Sequence, residues 1–442
     1  MKRFLPATFL LLCFFTNAVS QSENAFSLKQ TIEYAKANNA NAKNAKLDEK
    51  ASLKKIHEIR AIGLPQISAS GRFVYTPQIP TIGIKNPGFF GPNPTVEFPQ
   101  GIDYSVNGTL SANQLLFDGS FLMGLKAAKE YALLARINSE RTDKQIASDV
   151  TKAYFLVIIT EENIKLVDKN IQTLEKILSD LKALYKNGLI EKTDVDRIEL
   201  AYSNTKLQSG KLQDAREICY YLLKLQMGYP GNQKISVTDQ MQDIYSNLAD
   251  ADAIAEEKVV YANRPEYKML EQQIKMQTLD KKRYQFGYAP SLVAFAQHQQ
   301  NAFAVDFGSL NNRYYPGTQI GLNLSLPIFD GFMKNSQIEQ ARINIQKTQN
   351  QKSQFESAIE TEVFSNRTKY LRAKEQIKVQ KKNMELAEEI YNKVNIKFSN
   401  GVGSSLEISQ AETDLKTAQT GYLNAIYDLL VAKTDLEQSL GK

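Results

Sequence analysis

The sequence predicts an α+β chain built from two similar halves, each with two strands, a very long helix, a sharp turn and a second helix. Three observations predict this class. Short sequence markers recur at a spacing of 212 or 213 residues, two segments of more than sixty residues contain neither Gly nor Pro, and four segments alternate polar with apolar residues. Alternation with period two is typical of strands, and a long uninterrupted segment is typical of a helix.

The recurring markers divide the chain into two repeats. Asn187-Gly188 recurs as Asn400-Gly401, and Phe117-Asp118-Gly119 recurs as Phe329-Asp330-Gly331. Markers that recur in one order at one spacing indicate repeated structural units. The predicted units are a first repeat, a connector and a second repeat, over residues 21–229, 230–250 and 251–442.

The two segments without Gly or Pro predict helices of about 100 Å, because each helical residue adds 1.5 Å. In the first segment, apolar residues alternate steps of three and four along one face: Ile164, Val167, Ile171, Leu174, Leu178, Leu181 and Tyr185. This 3.5-residue seam is typical of supercoiled helices. An ordinary helical bundle would give the same seam, but not helices of this length. We therefore predict coiled-coil-like pairs that turn at 187–189 and 400–403.

Four shorter segments predict strands, at about 66–76, 103–117, 291–306 and 317–329. In the second of them Tyr104, Val106 and Leu110 face one way, whereas Asn107 and Thr109 face the other. About ten residues is the length that a tilted strand needs to cross a bilayer. A half-buried sheet in a soluble protein gives the same alternation, so the pattern alone leaves both possibilities open.

The first residues predict export. Lys2 and Arg3 precede an apolar run, and Ala18-Val19-Ser20 resembles a cleavage site, so residues 1–20 read as a secretory signal peptide. No later segment approaches 18 consecutive apolar residues, so any membrane-spanning segment has to be a strand. Export and the Tyr and Phe residues at the strand ends favour a sheet embedded in a membrane.

Composition excludes several classes of site. Lys and Arg number 54 against 48 Asp and Glu, a balance too mild to indicate a nucleic-acid partner. Two His, two Cys and no Trp leave too few soft ligands for a zinc, iron–sulfur or haem site. We predict no metal, no cofactor and no enzyme activity, because no combination of side chains indicates catalysis.

Four strands are too few to close a barrel, and open sheet edges in lipid leave backbone groups unpaired. Several chains are therefore expected to contribute four strands each, and three chains would supply twelve. The long helices would continue such a pore as a helical tube. The proline-rich loop from Thr76 to Gly101 would lie at its outer mouth.

Several short motifs in order resemble one family. They are Gly63-Leu64-Pro65-Gln66-Ile67, Leu116-Phe117-Asp118-Gly119, Arg264-Pro265-Glu266, Leu326-Pro327-Ile328-Phe329-Asp330-Gly331 and the segment from Gly401 to Ala411. The whole mature chain resembles the TolC-type outer-membrane factors. This resemblance implies a homotrimer with a 12-stranded outer-membrane β-barrel, continued by a periplasmic α-helical coiled-coil barrel. Residues 230–262 would belong to a mixed equatorial region.

The resemblance also implies roles for residues at the two turns. Gly188, Leu189, Gly401 and Val402 match tip positions that would contact a periplasmic adaptor, although each Gly could simply permit its turn. Asp194, Glu407 and Gln410 match positions around a periplasmic aperture. The residues that close this aperture in the family fall at Phe398 and Gly403, so the closing contacts here are expected to differ.

These inferences predict a passive outer-membrane exit duct of a Gram-negative bacterium. It would serve a tripartite efflux or type I secretion system, exporting small molecules or proteins when its periplasmic tip opens. An adaptor and an inner-membrane pump would be its partners. The alternative is a soluble periplasmic coiled-coil adaptor or scaffold, which needs no lipid around its strands.

Overall fold

The computed structural model describes residues 24–85, 87–89, 91–246, 252–311, 313–400 and 402–442. The predicted signal peptide over residues 1–20 lies outside these ranges. In chain order the helices are α1 (Leu28–Asn38), α2 (Ala40–Ala61), α3 (Gly119–Lys186), α4 (Lys192–Met227), α5 (Met241–Ser246), α6 (Asp252–Glu256), α7 (Pro265–Phe286), α8 (Met333–Ser399) and α9 (Ser405–Ser439). The strands are β1 (Asn24–Phe26), β2 (Gln66–Tyr75), β3 (Thr81–Lys85), β4 (Thr95–Pro99), β5 (Tyr104–Phe117), β6 (Ile235–Val237), β7 (Ser291–Ala304) and β8 (Tyr315–Ser325).

Two helical hairpins account for most of the chain. Helices α3 and α8 have 68 and 67 residues, and they pack against α4 and α9, respectively. Near the sheet, α2 and α7 both pack on α3, and α7 also packs on α8. In the part of the chain that the structure describes, no helix combines the length and apolar character needed to cross a membrane.

Two glycines 213 residues apart, Gly228 and Gly441, lie where two helices meet end to end. Gly228 ends α4 with φ +67°, and a Cβ there would lie 2.6 Å from the backbone oxygen of Asn38, the last residue of α1. Gly441 follows α9 with φ +79°, and a Cβ there would lie 2.8 Å from the carbonyl carbon of Asn263, ahead of α7. Both repeats therefore stack a shorter helix of the hairpin on a helix that leads to the sheet.

The residues that directly follow Asn38 and Asn263 donate side-chain hydrogen bonds to the last carbonyls of α4 and α9. Asn39 Nδ2 donates to the Gln226 carbonyl at 2.7 Å, and Arg264 Nη1 donates to the Ser439 carbonyl at 2.8 Å. Arg264 is buried and also contacts Glu362 at 3.1 Å. The last carbonyls of a helix have no partner within it, so these donors stabilise the ends of α4 and α9.

The main sheet has four antiparallel strands in the order β2-β5-β7-β8. Its register places Ile67 opposite Ala112, Ala112 opposite Ala296, and Ala296 opposite Ile320, all on one face. This face is mostly apolar and open, with Ile320 82% exposed. The other face carries Asn, Gln and Ser side chains, including the hydrogen-bonded pair Asn107 and Asn301.

Several elements differ in detail from the predicted ones. The last strand was predicted over 317–329, but β8 ends at Ser325, because Pro327 has no N–H to continue a ladder. The third strand was predicted to reach residue 306, but β7 ends at Ala304 and a 3-10 turn over Phe307–Asn311 follows. The loop from Thr76 to Gly101 contains the hairpin β3–β4, which the sequence analysis missed.

The connector also contains structure that the sequence analysis did not predict. Within 230–250, β6 pairs in parallel with β1 near the chain start, and α5 follows. Tyr154 on α3 lies fully buried beside them and donates from its hydroxyl to the Phe26 carbonyl at 2.9 Å. Burial raises the pKa of this phenol well above its ordinary value. Phe26, Val237 and Tyr154 belong to the larger of two apolar cores, which lies midway along the helices.

Candidate functional site at the hairpin tips

The turn between α3 and α4 is built around a left-handed glycine. Gly188 has φ +75° and donates to the Tyr185 carbonyl at 2.8 Å, and the N–H of Leu189 reaches the Leu184 carbonyl at 3.0 Å. These bonds close the helix end, and only glycine adopts this backbone conformation without strain. The Leu189 side chain is 69% exposed at the extreme end of the hairpin.

The turn between α8 and α9 has a similar apolar residue at its end. Val402 is 79% exposed, and its N–H donates to the Lys397 carbonyl at 3.1 Å. Gly401, which was predicted to share this tip, lies outside the described residues. A Cβ at Gly403 would lie 2.8 Å from the backbone nitrogen of Phe398, so close approach of the chain requires glycine there.

A hydrogen bond joins the two hairpins just beyond their turns. The hydroxyl of Ser405, the first residue of α9, donates to Oδ1 of Asp194 in the first turn of α4. Ser405 is buried and Asp194 is half-buried. This hydrogen bond and the smaller apolar core beside it form the joint between the two hairpins. The core consists of Leu174, Ile177, Leu178, Leu181, Val195, Ile198, Tyr391, Ile408, Ala411 and Leu415.

The other two predicted aperture residues lie outside this joint. Glu407 and Gln410 are exposed on α9, three residues apart and therefore on one face. The backbone N–H of Glu407 donates to Ser404 Oγ at 3.2 Å, which caps α9, and Gln410 Nε2 donates to Asp414 Oδ1 at 2.9 Å. Within one chain, Asp194 therefore contacts Ser405 rather than Glu407 or Gln410.

The sequence analysis missed three residues at this site. They are Ser405, which bonds Asp194, and the pair Arg197 and Glu412, which line a groove between α4 and α9. Serine at the start of a helix is too common to indicate a tertiary contact, and the other two charges are ordinary in helices. Among the described residues, no group of three or more His, Cys, Asp and Glu side chains is placed to hold a metal ion.

Comparison with known proteins identifies the family. The family model described as "Outer membrane efflux protein" matches residues 31–223 and 261–442, which include both hairpins and the sheet. The chain belongs to the outer membrane efflux protein family. The family match favours an exit duct over the alternative of a soluble adaptor.

Relatives of known name agree with this assignment. The chain is 22% identical to outer membrane protein TolC of Salmonella enteritidis over 457 aligned positions, covering 100% of this chain and 86% of the relative. It is 21% identical to TolC of Escherichia coli K12, covering 100% and 87%. The resemblance to TolC-type factors predicted from the sequence is confirmed.

Solved structures share the fold. A structure of CusC superposes with a TM-score of 0.73 at 16% identity, covering 96% of this chain and 95% of CusC. The Campylobacter jejuni CmeC outer membrane channel gives 0.71 at 14% identity, covering 100% and 94%. The predicted fold class is confirmed.

Family membership fixes the general role and the location of the chain. This efflux protein resides in the outer membrane with a large periplasmic part and acts as an exit duct for tripartite efflux. The four-stranded sheet with its apolar face belongs to the outer membrane, and the long hairpins belong to the periplasm. The turns at Leu189 and Val402 lie at the ends of the long helices α3 and α8 that are remote from the sheet.

Proposed function

We propose that three copies of this efflux protein form one duct, which is gated where the six hairpin tips meet. The observation that carries the proposal is the sheet. Its edge strands β2 and β8 each have a single neighbour in the described part of the chain, while one face is apolar and exposed. Lipid cannot satisfy open edges. Pairing β8 of one copy with β2 of the next satisfies both edges, and three copies give twelve strands.

The helices support the same arrangement with two exposed apolar seams. The seam on α4 consists of Leu200, Leu207, Ile218 and Leu225, and the seam on α8 consists of Leu386, Val379, Leu371 and Phe364. The four residues of the α4 seam lie 13, 20, 31 and 38 residues after Asn187 in the sequence. Those of the α8 seam lie 14, 21, 29 and 36 residues before Asn400, so the two sets are at similar distances from the tip. Since α4 runs away from the tip and α8 runs toward it, the two seams face each other level by level between neighbouring copies.

The tip residues take their proposed roles from this assembly. Three copies of Glu407 and of Gln410 would surround a narrow opening, where the carboxylates attract cations. The Ser405–Asp194 hydrogen bond would hold the two hairpins of each copy together in the closed state. The exposed apolar side chains Leu189 and Val402, together with the predicted tip positions Gly188 and Gly401, would offer docking points for a periplasmic adaptor.

In this proposal the duct itself uses no energy source. An inner-membrane pump would supply the energy, and adaptor binding would shift the population of closed tips toward open ones. The sheet face with Asn107, Asn301 and other polar side chains would line the passage through the outer membrane. A polar lining suits small molecules or proteins in aqueous solution as cargo.

Two measurements on the purified protein test the proposal. We expect a trimer that resists mild detergent and a current in planar bilayers that depends on the tip. Replacing Leu207 by Glu places a charge in the α4 seam and should dissociate the trimer. The exposed Lys206 beside it, changed to Glu, provides the matched control and should leave the trimer intact. A monomeric wild-type protein that is soluble without detergent would refute the proposal.

A further inference from the structure

A small polar cavity lies between α3, α4 and β6, beside the larger apolar core midway along the helices. Its volume is about 240 Å³. Its charged lining residues are Glu161 on α3, Arg216, Glu217 and Lys224 on α4, and Lys234 just before β6. Sites for whole drug-sized ligands are larger, at about 300–1,000 Å³. A cavity of this size therefore suits one charged group at the end of a longer ligand.

The cavity contains a buried ammonium group without a counterion. Lys224 is 8% exposed and makes no ion pair with any residue that the structure describes. Its Nζ donates to the Gly231 carbonyl at 3.3 Å and lies 4.7 Å from the centre of the Tyr221 ring. An ammonium has three N–H groups, so two remain available to another acceptor. A buried charge without a counterion is unfavourable, and an anion in the cavity would remove part of that cost.

The two carboxylates in the lining already have other partners. Glu161 Oε1 accepts from the Tyr220 hydroxyl at 2.6 Å, and Glu217 Oε1 accepts from Arg216 Nη2 at 3.2 Å. Within the described chain, neither carboxylate bonds to Lys224. The lining holds three cationic side chains and two carboxylates, so it has an excess of one positive charge. One singly charged anion would balance that excess.

Two more donors line the cavity at β6. Lys234 is exposed and makes no ion pair among the described residues, and the half-buried Ser236 hydroxyl has no hydrogen-bond partner there either. Together with Lys224, these groups supply two ammonium ions and a hydroxyl from two different elements. A carboxylate has two oxygens that accept such hydrogen bonds and carries a single negative charge. The donors and the charge excess therefore favour a carboxylate over a phosphate dianion.

The cavity remains accessible in the proposed trimer. Arg216, Tyr220 and Lys224 follow one another at four-residue steps, so they lie on one face of α4. Ile218, which belongs to the exposed seam on α4, lies about 200° around the helix from Tyr220, at 3.6 residues per turn. Contact between copies along the seam therefore leaves the face with the cavity uncovered.

We propose that this cavity binds a carboxylate of a periplasmic peptide, with Lys224, Lys234 and Ser236 as the binding residues. Lys224 would supply the buried charge, and the other two would complete the contacts. Because the cavity holds only the acid group, the rest of the ligand would lie outside, as suits an acidic side chain or the C-terminus of a peptide. The site lies within one chain, so this proposal does not depend on the trimer or the tip gate.

Binding can be measured on the purified full-length protein in detergent. One probe is N-acetylglutamate α-amide, which has a side-chain carboxylate, and the other is N-acetylalanine, which has a C-terminal carboxylate. Saturation-transfer NMR at rising probe concentration gives the dissociation constants. We expect a carboxylate probe to bind, and N-acetylglutamine amide, which lacks the charge, to bind at least about tenfold more weakly. The tighter of the two carboxylate probes identifies the source of the carboxylate.

Substitutions in the lining test the binding residues. Lys224→Met keeps an apolar stem in the buried position and should weaken binding about tenfold or more, because a charge-assisted hydrogen bond is lost. Lys234→Gln, at an exposed position where folding is not in question, should weaken binding about threefold. Glu161→Gln can still accept from Tyr220 but removes a negative charge, so binding should become tighter. Lys211→Gln, an exposed lysine on the same helix, is the control and should leave the dissociation constant unchanged.

The outcomes separate this inference from the proposed function. The carboxylate site is overturned if neither carboxylate probe binds, if N-acetylglutamine amide binds equally well, or if Lys224→Met and Lys234→Gln both bind like the wild type. Tighter binding of inorganic phosphate than of either carboxylate probe also overturns it. A trimer that conducts in bilayers but gives any of these results keeps the proposed function. A protein that forms no trimer but shows the expected binding loses the proposed function and keeps the carboxylate site.

Discussion

The Ser405 hydroxyl donates a hydrogen bond to the carboxylate of Asp194, 211 residues away in the sequence, and this bond joins the two hairpins. Ser405 is buried, and the bond lies at the first turns of α4 and α9. Gly403, two residues before Ser405, packs against the backbone of Phe398. A serine–carboxylate hydrogen bond therefore joins the two hairpins where α4 and α9 begin.

Replacing Ser405 by Ala should open the tip more often. A hydrogen bond to a charged group contributes about 1.5–3 kcal/mol, and its loss leaves Asp194 half-buried without its partner. At 1.4 kcal/mol for each factor of ten, the open population should rise about tenfold or more per copy. The measurement is the fraction of time that single channels are open in planar bilayers.

Ser399→Ala is the matched control for this test. Ser399 is exposed at the end of α8, and its hydroxyl donates to the Ile396 carbonyl within the same helix, at 3.0 Å. This substitution should leave the open fraction of the channel at the wild-type value. If the open fraction of Ser405→Ala is no higher than that of Ser399→Ala, the Ser405–Asp194 hydrogen bond does not hold the tip closed.

The ion preference of the duct should depend on Glu407. Its carboxylate is exposed in the first turn of α9, and three copies around one opening would concentrate cations there. Glu407→Ala should lower the cation-to-anion permeability ratio, measured as the reversal potential in a salt gradient. Glu389, an exposed carboxylate on α8 paired with Lys393, changed to Ala serves as the control. Equal shifts in both variants would contradict the aperture assignment.

The two faces of the sheet should respond differently to charge. Leu322 is exposed on the apolar face of β8, and Asn323 follows it on the polar face. A charged residue facing lipid is unfavourable, by about 2–4 kcal/mol for Arg or Lys near the bilayer midplane and by less for an acidic residue. Leu322→Asp should therefore lower the amount of heat-resistant trimer in outer membranes, whereas Asn323→Asp should leave it unchanged. The reverse pattern would place the polar face against lipid.

The repeat and the long helices could be predicted because their signals are local. Glycine occurs at the equivalent positions 228 and 441 because the end-to-end contact of two helices leaves no room for a Cβ at either position. The alternation around Leu110 reflects the two faces of the sheet. The Ser405–Asp194 bond could not be predicted, because it depends on how two hairpins pack. The hairpin β3–β4 was hidden by the prolines and glycines around its short strands.

The glycines at helix junctions should be less replaceable than the glycine at the tip. Gly188 and Gly228 both have positive φ, at +75° and +67°, so alanine is strained at either position. At Gly188 a Cβ meets nothing within 4 Å, whereas at Gly228 it lies 2.6 Å from the Asn38 carbonyl oxygen. Gly188→Ala should cost about 1–2 kcal/mol, and Gly228→Ala about 1–3 kcal/mol more. Thermal unfolding followed by circular dichroism compares them, and equal melting temperatures would contradict the close contact.

The stability of the periplasmic hairpins should depend on pH through Glu412. Its pKa is raised by burial, so the folded protein holds this proton more tightly than the unfolded chain does. The resulting stabilisation is present in full below the ordinary carboxyl pKa and is lost as pH rises through the raised value. Among the residues that the structure describes, Lys416 on α9, Arg197 on α4 and Tyr391 on α8 are the charged or titratable groups near this carboxyl.

Glu412→Gln keeps a neutral side chain at every pH and so removes this loss. The variant should melt at the wild-type temperature near pH 4 and a few degrees above it near pH 7.5. Asp414→Asn, which changes an exposed carboxyl two residues away, should show no such difference between the two pH values. A melting-temperature shift of Glu412→Gln that is equal at both pH values would mean that its burial, and not its ionisation, determines the effect.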